Sequence, residues 1–125
     1  MTTYDFCLEG RIVPAVRMTQ RSKWSKHALE YMACRQSLRL QMQAEMAAEG
    51  WEMLPAGVRV GVTIRFEVAK NFGKSDLDNL IKTVLDSMQG VVFANDNCVD
   101  RIDAFRFKSD RGEDNTWLVV RVLGE

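Results

Sequence analysis

The sequence predicts an α+β fold in which a mixed β-sheet of about four strands is covered by two main helices, in the order β-α-β-α-β-β. Three patterns carry this expectation. Val58, Val60, Val62, Ile64, Phe66 and Val68 alternate without a break with Arg59, Gly61, Thr63, Arg65 and Glu67, the period of a strand packed on one face. Leu77, Leu80, Ile81, Val84, Leu85 and Met88 recur at steps of three and four, the period of an amphipathic helix. Residues 25–49 are rich in Ala, Met, Leu, Gln, Glu and Arg, all strong helix formers.

The elements follow in chain order. Tyr4, Phe6 and Leu8 alternate with Asp5, Cys7 and Glu9, so residues 3–12 read as a first strand. From Val13 to Lys26, Pro14 and a mixture of basic and small polar residues show no period, as in an exposed loop. In the long helix Tyr31, Cys34, Leu38, Met42 and Met46 fall near one stripe before Gly50, and methionine on such a stripe reads as core filling. The strand at 58–68 follows, with arginines on its polar face. After the turn 70–74, a helix runs from Ser75 to Gly90. Strands near 99–108 and 116–124 close the chain, joined as an antiparallel hairpin by the polar loop 109–115.

With 125 residues, 46% of them apolar, and no repeat or low-complexity linker, the chain is read as one domain, residues 1–125. A chain of this size buries about two-thirds of its unfolded surface, so it needs neither metal nor disulfide to fold. Cys7, Cys34 and Cys98 are odd in number and widely spaced, which suits neither a disulfide framework nor a zinc site, and His27 has no second histidine to help it bind a transition metal. No apolar run approaches the ~20 residues of a membrane span, and residues 1–5 lack the pattern of a signal peptide. A cytoplasmic protein without membrane association is expected.

The net charge is zero, with 17 basic and 17 acidic side chains, but it is unevenly spread. Residues 1–40 hold seven basic side chains (Arg11, Arg17, Arg21, Lys23, Lys26, Arg35 and Arg39) against three acidic ones, leaving the remainder acidic. Such asymmetry suits a protein that grips phosphate in one place and metal in another, and equally a set of solvated faces. Trp24 within the basic stretch admits two readings, a ring that stacks on unpaired bases or one packed on the sheet.

The informative stretch is Lys74, Ser75, Asp76, Leu77, Asp78, Asn79, Leu80, Ile81, Lys82, followed by residues 90–96, which end in Asn95 and Asp96. A structural reading takes Ser75 and Asp78 as an approximate capping box, the carboxylates as complements of a helix dipole, and Asp78 with Lys82 as an i,i+4 ion pair. A functional reading takes Asp76, Asp78 and Asp96 as a carboxylate cluster. Such a cluster repels itself unless a cation intervenes, and hard oxygen ligands select Mg²⁺ or Mn²⁺. Magnesium held by carboxylates and substrate phosphate is what phosphodiester hydrolysis requires, with Lys82 placed to offset phosphate charge. Lys70 and Lys74 flank this site as phosphate contacts, and Asn79 is read either as orienting a metal-bound carboxylate or as an exposed helix residue.

These residues resemble the signature of RusA-type Holliday junction resolvases: Asp76, Leu77, Asp78, Asn79, Leu80 and Lys82, then Asp86, then residues 90–93 and Asp96. The resemblance implies a homodimeric, Mg²⁺-dependent endodeoxyribonuclease of RusA-like fold that cuts four-way DNA junctions by paired nicks, of a kind often encoded in phage or prophage. It assigns the family's metal-binding aspartates to Asp76, Asp78 and Asp96 and its essential lysine to Lys82. The match is specific over residues 74–99 and looser elsewhere, where residues 10–14 are similar to the family's first strand end and Lys108 falls where a basic residue often follows the third strand. Two departures stand out. Asn95 replaces the first aspartate of the acidic pair, and Cys98 replaces a glutamine. With Arg11, Arg17, Arg21, Lys23, Lys26, Lys70, Lys74 and Lys108 as DNA contacts, the expected function is junction resolution. The alternatives are a junction-binding dimer impaired in catalysis and a related nuclease acting on other branched DNA.

Overall fold

The computed structural model describes residues 2–16, 19 and 24–125. Strand β1 (Thr3–Glu9) is followed by helix α1 (Lys26–Glu49), strand β2 (Val60–Val68), helix α2 (Leu77–Met88), one 3₁₀ turn (Asp96–Cys98), strand β3 (Val99–Lys108) and strand β4 (Asn115–Val122). The β-α-β-α-β-β order matches the expectation, and the boundaries shift by a few residues. β1 stops at Glu9 because Gly10 turns the chain with φ of +105°, a conformation that costs glycine little. α1 begins after Ser25, whose hydroxyl accepts from the Ala28 amide at 3.1 Å, and ends at Gly50 in the left-handed region.

The strands form one mixed sheet in the order β1-β4-β2-β3. β2 pairs parallel with β3 and antiparallel with β4, which pairs antiparallel with β1. This corrects the expected hairpin. β3 and β4 do run in opposite directions, but β2 lies between them, and residues 109–114 cross over its end. The buried carboxylate of Glu67 shows why this loop stays in place. It accepts from Ser109 Oγ at 3.0 Å, Arg111 Nε at 3.1 Å and Nη2 at 2.9 Å, and Asn115 Nδ2 at 3.1 Å. Arg111 above all, then Asn115, holds the Glu67 carboxyl down to about 2.

Both helices pack on one face of the sheet. Tyr4, Phe6, Leu8, Val62, Ile64, Phe66, Leu118 and Val120 share a core with Leu38, Met42 and Met46 of α1 and Leu80, Val84 and Met88 of α2. The methionines of the α1 stripe are thus core residues, and Tyr31 beside them donates to Asp86 Oδ2 of α2 at 2.6 Å. Burial and then this bond push the Tyr31 phenol far up, so it stays protonated and ties the helices together. Among the described residues, the other face of the sheet carries no helix. Among the described residues no helix is long and apolar enough to cross a membrane.

β2, α2 and β3 form a β-α-β crossover, because the strands on either side of α2 are parallel. The N-terminus of α2 therefore lies at the C-terminal ends of β2 and β3. The turn bearing Asp96 lies at the opposite end, where β3 begins.

Candidate active site at the N-terminus of the second helix

The loop leaving β2 turns at Asn71, whose φ of +57° is the left-handed conformation that asparagine tolerates, and reaches α2 through Lys74, Ser75 and Asp76. Arg106 of β3 anchors it: the guanidinium donates to the Ser75 carbonyl and lies over the Phe72 ring, 5.6 Å from its centroid. Sequence reasoning missed Arg106. Its signal was a charged residue continuing the inward row of Ile102 and Ala104, at a position where β2 supplies Phe66.

The capping-box reading is corrected. Asp76, not Ser75, is the N-cap, and its side chain makes no capping hydrogen bond. Its carboxylate is exposed. Asp78 sits in the first turn, where its Oδ1 accepts from the Asn79 amide at 3.0 Å. The expected Asp78–Lys82 ion pair does not form among the described residues; Lys82 is exposed one turn further along the helix. The half-buried Asn79 binds through its backbone, its carbonyl accepting from the Ala15 amide at 3.1 Å and from Thr83 Oγ1 at 3.1 Å. These bonds pin the chain after β1 to the first turn of α2.

Beside this helix end opens a cavity of about 300 Å³ lined by Arg11, Lys70, Lys74 and Arg106 as well as by Glu67 and Asp114. Both carboxylates are already engaged. Glu67 is clasped by the 109–115 segment, and Asp114 Oδ1 accepts from the Ala69 amide at 2.8 Å. The four cations thus set the character of the cavity, which with the helix N-terminus is electropositive.

Asp96 stands apart. The Ser75 carbonyl is fixed to Arg106, whereas the turn at 96–98 is fixed to Arg59, whose Nη2 donates to the Asn97 carbonyl at 2.8 Å. Val99 and Arg106 are separated along β3 by about 23 Å at ~3.3 Å per residue. Among the described residues no group of three His, Cys, Asp or Glu side chains is placed to hold a metal ion. One protomer therefore brings Asp76 and Asp78 together and leaves Asp96 at the other end.

The two departures from the family pattern have local explanations. Asn95 caps the 3₁₀ turn, its side-chain oxygen accepting from the Asn97 amide at 2.9 Å, a role that an aspartate performs equally well. Cys98 is half-buried, and burial pushes its thiol up.

Of the remaining expected DNA contacts, Lys108 is exposed at the end of β3, while Lys26 is exposed and 3.9 Å from Glu30 on its own helix. Arg17, Arg21 and Lys23 lie outside the described residues. Trp24 is 71% exposed, so it is not packed on the sheet.

A search of curated proteins finds no match. The family described as Endodeoxyribonuclease RusA matches residues 10–121, nearly the whole chain, including both ends of β3 and all of α2. The chain belongs to the RusA family of endodeoxyribonucleases, which resolve Holliday junctions.

Proposed function

We propose that this protein is a metal-dependent, structure-specific nuclease that resolves four-way DNA junctions by paired symmetric nicks, as a homodimer of identical 1–125 domains. The observation that carries this reading is the exposed, non-capping Asp76 with Asp78 at a helix N-terminus beside a cavity rich in arginine and lysine. A carboxylate pair next to a phosphate site suits Mg²⁺ or Mn²⁺, which share their ligands with substrate phosphate. When bound, such an ion lowers the pKa of a water ligand and offsets charge on the attacked phosphate.

The chain's own residues divide the remaining work. Asp76 and Asp78 hold the ion, Arg11, Lys70 and Lys74 seat the DNA backbone, and Lys82 offsets charge on the reacting phosphate. Lys108 and Lys26 add to the backbone contact, as do Arg17, Arg21 and Lys23. Asn79 orients the first turn through its backbone bonds.

Two copies account for Asp96. The outer edge of β1 is blunted at its end, where Gln41 bonds both the amide and the carbonyl of Glu9, at 2.7 and 3.0 Å. β3 is the other edge of the sheet and exposes Ile102. In this proposal β3 pairs antiparallel with β3 of a second copy about a two-fold axis near Ile102. Arg101 then opposes Asp103 of the partner subunit, and the N-terminus of α2 lies level with Asp96 of the partner subunit. A two-fold dimer also matches the symmetry of paired nicks on a four-way junction.

The test is cleavage of an end-labelled four-way junction in Mg²⁺ and in EDTA, by wild type, Asp76→Asn, Asp96→Asn and a refolded mixture of the two variants. Symmetric nicks that need metal and vanish in each single variant are expected. The mixture is expected to recover single nicks, because a heterodimer carries one complete site and one doubly substituted one. No recovery would place Asp96 in the site of its own protomer, and full cutting by Asp96→Asn alone would place it outside the site. Junction shifted on a gel but uncut in every lane would leave a binding protein, and preferential cutting of flaps or forks would redirect the substrate.

A further inference from the structure

The sheet face away from the helices carries a set of residues that the junction-cutting site does not use. Register places Trp117, Arg65 and Phe105 in one row across β4, β2 and β3, with Val119, Thr63 and Asp103 in the next and Arg121, Gly61 and Arg101 beyond. The rings form a run. Phe107 and Trp117 stack with centroids 6.2 Å apart and planes 18° apart, and Phe105 lies 6.3 Å from Phe107. The Arg65 guanidinium lies 5.0 Å from the centroid of the Trp117 ring. Phe105 is 51% exposed, and a cleft opens beside Trp117 and Arg65 toward Cys7 of β1.

We propose that this open face is a second nucleic-acid surface, one that takes single-stranded DNA by stacking bases on Phe105, Phe107 and Trp117. Aromatic rings on neighbouring strands of a four-stranded sheet offer flat platforms to unpaired bases, whose π-faces are available, whereas a duplex keeps its bases stacked internally. Charge supports this occupant. Arg65, Arg101 and Arg121 share the face, Asp103 is held by Arg101 at 2.9 Å, and Glu67 is neutralised by Arg111, while the remaining carboxylates, Asp5 and Glu9 of β1 and Glu45 at the cleft, lie on the β1 side, away from Phe105. A second copy packed about an axis through these rows is a poor occupant, because it would set the arginines of one copy near those of the other. Phe107 lies at the end of β3 that also carries the α2 N-terminus, so a strand leaving that site has a short path over that end of the sheet to the rings.

The inference does not rest on junction cutting, and its test involves no cleavage. A labelled oligothymidylate is titrated with protein in EDTA at low salt and followed by fluorescence anisotropy, beside a duplex of equal length. Phe105→Ala and Arg65→Ala are expected to weaken oligothymidylate binding about tenfold each, while Leu40→Ala, exposed on α1, leaves it unchanged. Both replaced side chains are exposed, so the variants are expected to fold, as checked by circular dichroism. Photocrosslinking through iododeoxyuridine is expected to label peptide 99–108 or 115–122. Loss of binding in Lys74→Ala with none in Arg65→Ala would overturn the proposal and assign the strand to the helix end. Unchanged binding in both face variants, with Arg65→Ala altering the sedimentation of the protein, would overturn it in favour of a second copy.

Discussion

Glu67 and Arg111 are joined by two parallel hydrogen bonds across the point where the chain steps from β3 over the end of β2 to β4. The carboxylate is 4% exposed and the arginine is on the surface, so a loop residue closes over a buried strand end. This contact explains how six residues keep β2 between two strands that follow each other in sequence.

The clasp makes stability depend on acid pH. The Glu67 carboxyl titrates at about 2 in the folded protein, against 4.5 ordinarily. A value depressed by folding means that the stabilisation is complete above the ordinary value and is lost as pH falls through the folded one. Thermal denaturation followed between neutral pH and pH ~2 is expected to show a declining melting temperature in this window. Glu67→Gln is expected to melt lower at neutral pH and to show a shallower decline. An identical acid limb in the variant would remove Glu67 from the cause.

Helix α1 depends on its cap. Ser25→Ala removes the hydroxyl that accepts from the Ala28 amide and is expected to cost about 1 kcal/mol. Urea denaturation measures this, and Ser25→Asp is expected to restore most of it, because a carboxylate serves the same amide and favours the helix dipole.

Leu38 is 2% exposed where α1 meets the sheet. Leu38→Ala is expected to destabilise the fold by about 3 kcal/mol through lost transfer energy and a cavity. Leu40→Ala, two residues on and 56% exposed, is expected to change stability by less than ~0.5 kcal/mol. Equal effects at the two positions, read from denaturant midpoints, would contradict the helix orientation.

Arg106 holds the loop that leads into Asp76. Arg106→Ala frees the Ser75 carbonyl and the Phe72 ring, and a misplaced carboxylate is expected to lower junction cleavage by about ten- to a hundredfold. Arg106→Lys keeps a charge but not the planar fork, so it is expected to rescue junction binding more than cleavage. Gel shift and single-turnover cleavage separate the two effects.

Much of this molecule was legible residue by residue. The stripe of Leu38, Met42 and Met46 and that of Leu80, Val84 and Met88 are local patterns, because helical periodicity is set by neighbours within two turns. The alternation in β2 was equally plain. The position of β2 was not, since strand neighbours are chosen by contacts far apart in sequence. Glu67 hinted at it, as a carboxylate at the end of an apolar strand that needs partners from elsewhere. The ion pair and capping box at α2 were reasonable local expectations that the loop overrode, because Arg106 holds the Ser75 carbonyl and the helix begins one residue later than a Ser75 cap would set it.

The sequence by itself determined the two helices, the four strands and the acidic motif that starts α2, because each is written in the spacing of side chains along a short stretch. The tertiary structure decided where the motif's members stand. A parallel crossover sends α2 back along the sheet, so Asp96, close to α2 in sequence, lies a strand's length from Asp76. The same crossover gathers Arg11, Lys70, Lys74 and Arg106 from separate segments at one helix end. Spacing along a chain sets which side chains share a face, whereas the direction of the strands sets which ends meet.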